Sequence, residues 1–331
     1  VSYFVWGTKR GEGGTPEKPF LIDNFTSSSL DKNDVAILEQ KIGKQYFENL
    51  FIDVFYCPKS TKSHELNDFA DRARKQNMEI VVSSGITKPF SPMDTTDFKT
   101  DTLWNPMITD RIHEVFGGKT INLAGLHQDA LEFSRVAMKK GFIPVISLNL
   151  PGKRRLLSLI TGNSQDNKEA NIGYPLNYQY HTMALGYLMT FSGIPIILYG
   201  DEIGLEKEGL EQLNQDLTRE QKELMKRVSR IIKMRSEHLA LSRGETVNLV
   251  MEKEQVIYLK TYFNSQILCA FNISNEESHI TVSLPRFLSQ VKTVNPLLKS
   301  GECGIERRKL EIKLPPSSFE YYSLELTFDK N

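Results

Sequence analysis

Apolar and polar positions follow two different rhythms along this chain, and the change falls near residue 241. Before it, near-continuous apolar runs are separated by stretches with helical spacing. Asn49-Leu-Phe-Ile-Asp-Val-Phe-Tyr56 predicts a buried strand. Ser63 to Gln76 follows as a helix, with Leu66, Phe69, Ala70 and Ala73 on one face. Glu79-Ile-Val-Val-Ser83 is the next strand. A helix from about His127 to Lys140 ends on Gly141 as a left-handed cap, and Phe142-Ile-Pro-Val-Ile-Ser-Leu148 is a strand. Asn177 to Ser192 predicts a helix, the run from Pro195 to Tyr199 a strand, and Thr218 to Leu239 a helix with Leu224, Val228, Ile231 and Ile232 on one stripe. Strands buried on both faces and spaced by helices imply a parallel sheet.

After Leu241 the runs are short and turn residues split them. Val256 to Tyr262, Gln266 to Asn272, His279 to Leu284, Leu310 to Leu314 and Glu320 to Leu324 predict a small antiparallel sandwich. The expected domains are 1–241 and 242–331, divided near Ser242-Arg-Gly244.

Composition narrows the class without naming a function. Of 331 residues, 40% are hydrophobic and 25% charged, which suits a globular protein with a large core. Lys plus Arg equals Asp plus Glu at 41 each, so charge gives no reason to expect a nucleic-acid partner. Three cysteines, Cys57, Cys269 and Cys303, do not make a disulfide framework. Cys269, inside Ile267-Leu-Cys-Ala-Phe271, is expected to be a buried small hydrophobe. The six histidines show no i, i+4 pairing and no cysteine clustering, so neither a metal nor a cofactor is expected. Gly11-Glu-Gly-Gly14 has no strand before it and no Lys-Ser/Thr after it, so it is a loop and not a phosphate cradle. Lys153-Arg154-Arg155 is expected to start a helix on a solvated face. Asn24-Phe-Thr26 and Asn272-Ile-Ser274 are glycosylation sequons; Asn24 is placed in a loop, and the Asn272 side chain is expected to turn to solvent at a strand end.

Pro195-Ile-Ile-Leu-Tyr-Gly-Asp-Glu-Ile-Gly-Leu205 resembles the eighth strand of the α-amylase family of glycoside hydrolases, which carries a Pro-x-x-x-Tyr-Gly-x-Glu-Ile-Gly pattern. Arg235 to Glu245 resembles that family's link from barrel to C-terminal sandwich. Ile267 to Ser274 resembles a sandwich strand ending in Asn-x-Ser, and Tyr3-Phe-Val-Trp6 a Tyr-x-x-Trp after the third barrel strand. The resemblance implies an α/β fold: a (β/α)8 TIM barrel of the α-amylase type plus a C-terminal antiparallel β-sandwich. About five barrel strands are counted, so the barrel is expected to lack its first strands here.

The resemblance also says where carboxylates should stand. The family nucleophile closes the fourth strand, where Val54 falls here beside Asp53. The acid closes the fifth, where Gly85 falls. A third acid lies in an Asn-His-Asp pattern after the seventh, where Asn149-Leu150-Pro151 stands. Asp201 and Glu202 fall where the family uses acids structurally. With no carboxylate aligned at Val54, Gly85 and Pro151, the chain is expected not to be an enzyme. It then resembles the heavy-chain subunit of heteromeric amino-acid transporters, a cell-membrane glycoprotein with a catalytically inactive amylase-like extracellular domain. That resemblance implies an escort on the extracellular side of the plasma membrane, in a single-span parent. Its partner is a polytopic transporter light chain, joined by a disulfide outside this chain; the missing barrel strands imply either that the chain is a piece of a longer protein or that another segment supplies them. The competing reading, from a one-residue shift in register, is a fragment of an active α-glucosidase or amylase-family hydrolase with Asp53 at the barrel mouth.

Overall fold

The structure, a computed structural model, describes residues 2–8, 20–26, 49–54, 71, 75, 79–83, 102–118, 120, 122–150, 153–166, 174–198, 200–206, 217–288 and 290–326. The chain forms two compact units. One holds Val1–Thr109 and Leu131–Ile146, the other Asp110–Ala130 and Ser147–Asn331.

In the first unit the strands lie in the order β2-β1-β3-β4-β5-β6. These are β1 (Ser2–Thr8), β2 (Phe20–Thr26), β3 (Asn49–Val54), β4 (Glu79–Ser83), β5 (Thr102–Trp104) and β6 (Ile143–Ser147). From β3 to β6 every pairing is parallel, as the continuous apolar runs predict. β1 instead pairs antiparallel with both β2 and β3. Tyr3-Phe-Val-Trp6 is therefore part of a strand and not a segment trailing one. Asn24 also lies in a strand, opposite Phe4, and not in the expected loop.

Helix α1 (Pro106–Phe116) begins with proline, whose missing N–H is harmless in the first turn, and Asn105 Oδ1 accepts from Met107 N–H at 3.0 Å. Helix α2 (Leu123–Lys139) starts four residues before the expected point, because Asn122 Oδ1 accepts the Gly125 N–H at 2.9 Å. It ends as expected, with Gly141 at φ +85°.

The second unit contains α3 (Leu156–Asp166), α4 (Tyr174–Met189), the short strand β7 (Ile194–Ile196), α5 (Arg219–Glu237) and α6 (Leu239–Arg243). Leu148 N–H donates to Ile196 C=O at 3.0 Å. α4 is buried on nearly all sides from Asn177 onward, which explains its lack of an amphipathic stripe. α5 opens with a capping box between Thr218 and Gln221. It buries Leu224, Val228 and Ile231, whereas Ile232, expected on that stripe, is exposed.

Helices give way to antiparallel strands at Gly244. One sheet runs β12-β15-β10-β9-β8 and a second β11-β14-β13. Their spans are β8 (Glu245–Met251), β9 (Gln255–Tyr262), β10 (Ser265–Asn272), β11 (Ser278–Ser283), β12 (Val291–Pro296), β13 (Glu302–Glu306), β14 (Lys309–Leu314) and β15 (Ser318–Leu326). Ile257, Leu259, Leu268, Ala270, Tyr322 and Leu324 pack with Leu310, Ile312 and Leu314 in the sandwich core. Strand alternation sends Tyr258, Lys260, Cys269, Phe271, Phe319 and Tyr321 to the opposite face, and these too are buried. That face meets α4: Tyr187 sits edge-on to Phe271, and Tyr321 Oη donates to Gly186 C=O.

Candidate active site

In the first unit, β3 closes on Asp53 and Val54. Asp53 is in register with Phe4 of β1 and Ser83 of β4, and Val54 with Tyr3. Gly85 and Pro151 lie outside the described residues, as does Cys57.

The best-defined polar centre belongs to the second unit and is built where β6 and β7 end. Asn149, two residues past β6, is its hub. Its Oδ1 accepts the Leu156 N–H at the start of α3 at 2.7 Å and His113 Nε2–H at 3.0 Å. Its Nδ2 donates to Asp201 Oδ1 at 2.7 Å. Asp201 Oδ1 also receives Arg155 Nη1–H at 3.1 Å, and Oδ2 accepts Leu198 N–H at 3.0 Å. His181 Nε2–H donates to Asp201 C=O at 2.8 Å. All five residues are buried. Because His113 Nε2 faces two acceptors, Leu148 C=O and Asn149 Oδ1, that nitrogen carries the proton.

Electrostatics here follow burial. The Asp201 carboxyl is pushed up to about 7 by desolvation, against the pull of Arg155, Asn149 and Leu198. Desolvation also lowers His113, and it takes His181 down to about 4. Asp201 is 1% exposed and has donors on both oxygens, so no substrate atom can approach it. Its chemistry is structural: it ties the strand end, α3 and the turn after β7 into one piece.

That turn is the Gly-Asp-Glu-Ile-Gly sequence. Gly200 and Gly204 hold φ of +90° and +67°. A Cβ on Gly204 would come within 2.6 Å of the Tyr178 ring. Glu202 folds back to accept the Gly200 N–H at 2.8 Å. Arg155 departs from the solvated face expected for Lys153-Arg154-Arg155: it is 4% exposed and ion-paired to Asp201. The flanking Leu150, Leu156 and Leu157, all buried, were the sequence signal for its burial. His113 and His181 carried no such signal, since neither has a polar partner nearby in the chain.

The Asn272 sequon is also placed differently from expectation. Asn272 is fully buried. Its Nδ2 donates to Glu276 and Pro315 carbonyls at 2.8 and 3.0 Å, and its Oδ1 accepts Ser274 Oγ–H at 2.7 Å. A glycan on that nitrogen would break the turn. Cys269 is buried and Cys303 half-buried; neither is in a disulfide, and burial pushes the Cys303 thiol up to about 12. Among the described residues no group of His, Cys, Asp and Glu is arranged to hold a metal ion.

This architecture is the α-amylase-type TIM barrel with a C-terminal antiparallel sandwich, the fold of the α-amylase family of glycoside hydrolases. An α-amylase from Anoxybacillus superposes with a TM-score of 0.70 at 19% identity, over 89% of this chain and 62% of that one. The Geobacillus thermoleovorans α-amylase, solved with acarbose, gives 0.67 at 16%, over 89% and 64%. In sequence, a cyclomaltodextrinase of Geobacillus thermopakistaniensis (strain MAS1) is 31% identical over 145 residues, which is 42% of this chain and 24% of that protein. The chain thus spans about a quarter of the curated relative it matches. No protein-family model matches it.

These findings correct the escort reading. The similar proteins are a cyclomaltodextrinase and α-amylases, enzymes and not transporter heavy chains, so neither a transporter-subunit role nor catalytic inactivity is supported. The plasma-membrane placement falls with it. Among the described residues no helix is long and apolar enough to cross a membrane.

Proposed function

We propose that this chain is part of an amylase-family glycoside hydrolase that cleaves α-linked glucose oligosaccharides. The observation that carries this reading is the 31% identity to a cyclomaltodextrinase over 145 residues. The acarbose bound by a structural neighbour supports the same substrate class. Retaining hydrolysis of this type needs a carboxylate nucleophile that forms a glycosyl ester, which water then cleaves, and a second carboxyl that protonates the leaving oxygen. Asp53, at the C-terminal end of β3, takes the nucleophile's role in this reading, one residue before Val54. The acid is sought by single substitution of Asp94, Asp97 and Asp101, the carboxylates that follow β4 in sequence.

The test is turnover of maltotriose and β-cyclodextrin by the full-length protein, with and without Asp53→Asn. Expected is release of glucose and maltose, with kcat at least ~1000-fold lower in the variant, equivalent to about 4 kcal/mol of lost transition-state stabilisation. No turnover, or turnover indifferent to Asp53→Asn, overturns the assignment.

A further inference from the structure

Glu320, on β15, holds the loop between β12 and β13 in one conformation. Its side chain is buried, and its two carboxylate oxygens accept the N–H groups of Leu298, Ser300, Gly301 and Tyr321 at 2.5 to 3.3 Å. The clamp leaves Lys299 at φ +63°, in the left-handed region that glycine ordinarily fills. A lysine there strains the backbone. No ion pair joins it to a carboxylate among the described residues. The folded state therefore gains nothing from a long cation at that point.

Lys299 lines a groove of about 400 Å³ that α4, α5 and this loop enclose with β15, a size suited to a small ligand. Its apolar lining is Met183, Ile231 and Phe319, all largely covered by their neighbours. Its charged lining is mostly basic. Arg227 and Arg230 of α5 join Lys299 there, against Glu223 as the one acid among the described lining residues. Arg230 is held in place by donating to Leu297 C=O, just before the clamped loop. Arg227 meets Glu223 only through Nε, at 3.4 Å in an exposed i, i+4 pair that contributes little. The two terminal nitrogens of Arg227 make no bond among the described residues.

We infer that this groove binds a small phosphate ester, with the phosphoryl group on Arg227, Arg230 and Lys299 and the organic body against the apolar lining. Guanidinium forks match phosphate oxygens in pairs, and an ammonium adds a point charge. Three cations against one acid leave two positive charges over. A phosphate monoester carries about −1.5 to −2 at neutral pH and neutralises them. A carboxylate brings one charge and two oxygens, so it would leave a cation unmatched. The loop is already fixed by Glu320, so placing Lys299 costs little further ordering on binding. No residue of the groove lies on a strand of the first unit, and the site does not depend on the glycosidic chemistry proposed above.

The experiment is calorimetric titration of the full-length protein with phenyl phosphate, with inorganic phosphate and benzoate titrated for comparison. The variants are Lys299→Gly, Arg227→Gln and Glu223→Gln. Glycine removes the cation and relieves the backbone, so its melting temperature should stay level or rise, and failure to fold is separated from failure to bind. Expected is one phenyl phosphate per chain, bound at least ~10-fold more weakly by Lys299→Gly and by Arg227→Gln. Glu223→Gln, which removes the lining acid, should bind at least ~2-fold more tightly, an effect that damage to the fold cannot produce. Benzoate should bind at least ~10-fold more weakly than phenyl phosphate, and inorganic phosphate between the two. No binding by the wild type overturns the site, as does binding that Lys299→Gly and Arg227→Gln leave unchanged. Benzoate bound as tightly as phenyl phosphate overturns the phosphoryl assignment, and inorganic phosphate bound as tightly overturns the role of the apolar lining. Binding in a protein that does not cleave maltotriose leaves the groove standing and removes the catalytic reading; cleavage without binding does the reverse.

Discussion

At the scale of single residues, Asn149 sets the geometry of the polar centre. Its amide joins a helix start, a histidine and a buried carboxylate, so each of its atoms has a partner that water cannot replace. Asn149→Ala should leave the Leu156 N–H unpaired and take one donor from Asp201. Buried unsatisfied groups cost about 1–3 kcal/mol each, so a loss of about 3 kcal/mol is expected in urea unfolding. Gly186 is as constrained by shape. A Cβ there would come within 2.3 Å of the Phe319 ring, which makes Gly186→Ala an overpacking change of about 1–3 kcal/mol. Asp53 contrasts with both: its place in register is fixed, and its role rests on the turnover assay.

At the scale of elements, the ends of α4 and α6 depend on one distant side chain. Arg235 of α5 donates to the carbonyls of Met189, Phe191, Leu241 and Gly193 at 2.6 to 3.1 Å. These include carbonyls that a helix C-terminus leaves unpaired. Desolvation lowers the guanidinium to about 10, so it remains charged at neutral pH. Arg235→Ala should cost about 3 kcal/mol, and Arg235→Lys should recover less than half, because one ammonium cannot span four acceptors. A denaturant titration of the three proteins checks this. Much at this scale was readable from sequence. The parallel strands β3, β4 and β6, the glycine end of α2 and strands β9, β10, β11, β14 and β15 all follow from run length and periodicity. What escaped has physical reasons. β5 is three residues long, too short for a period. β12 and β13 have weak apolar content and are held by their neighbours. The polar centre was half legible: the Gly-Asp-Glu-Ile-Gly turn announces itself, whereas Arg155 and His181 reach Asp201 from 46 and 20 residues away in sequence, and His113 reaches Asn149 from 36.

At the scale of the whole molecule, buried histidines set the response to acid. His127 lies between Tyr187 and Tyr258, with Nε2–H donating to Asn248 Oδ1 at 3.1 Å, and burial takes it down to about 4. His181 behaves alike. A histidine with a depressed folded pKa stabilises above its unfolded value near 6.5, and that contribution is lost as pH falls toward 4. Asp201, raised to about 7, runs the other way: its folded form binds a proton between about pH 4 and 7 that the unfolded chain does not. Two histidine protons against one carboxyl proton leave a net uptake of about one on unfolding, and the lowered His113 adds to it. Stability should therefore fall as pH drops from 6 to 5, by on the order of 1 kcal/mol, the raised Glu320 and Asp129 carboxyls opposing part of the histidine effect. His127→Gln, which keeps a donor to Asn248, should remove about one proton from that slope. Chemical unfolding at several pH values measures both.

The two-sided burial of β9, β10 and β15 bears on inheritance. A sheet with one dry face can be traded between proteins as a cassette. This one has two, and the second, with Tyr258, Phe271, Phe319 and Tyr321, is matched to glycine and tyrosine on α4. Recombination at Gly244 would separate surfaces that were shaped together, so a transplanted sandwich would arrive with an aromatic wall and nothing to lean on. Substitutions on α4 and on these strands should therefore accumulate in compensating pairs, and chimaeras should tolerate a crossover before α4 better than one at the helix-to-strand junction.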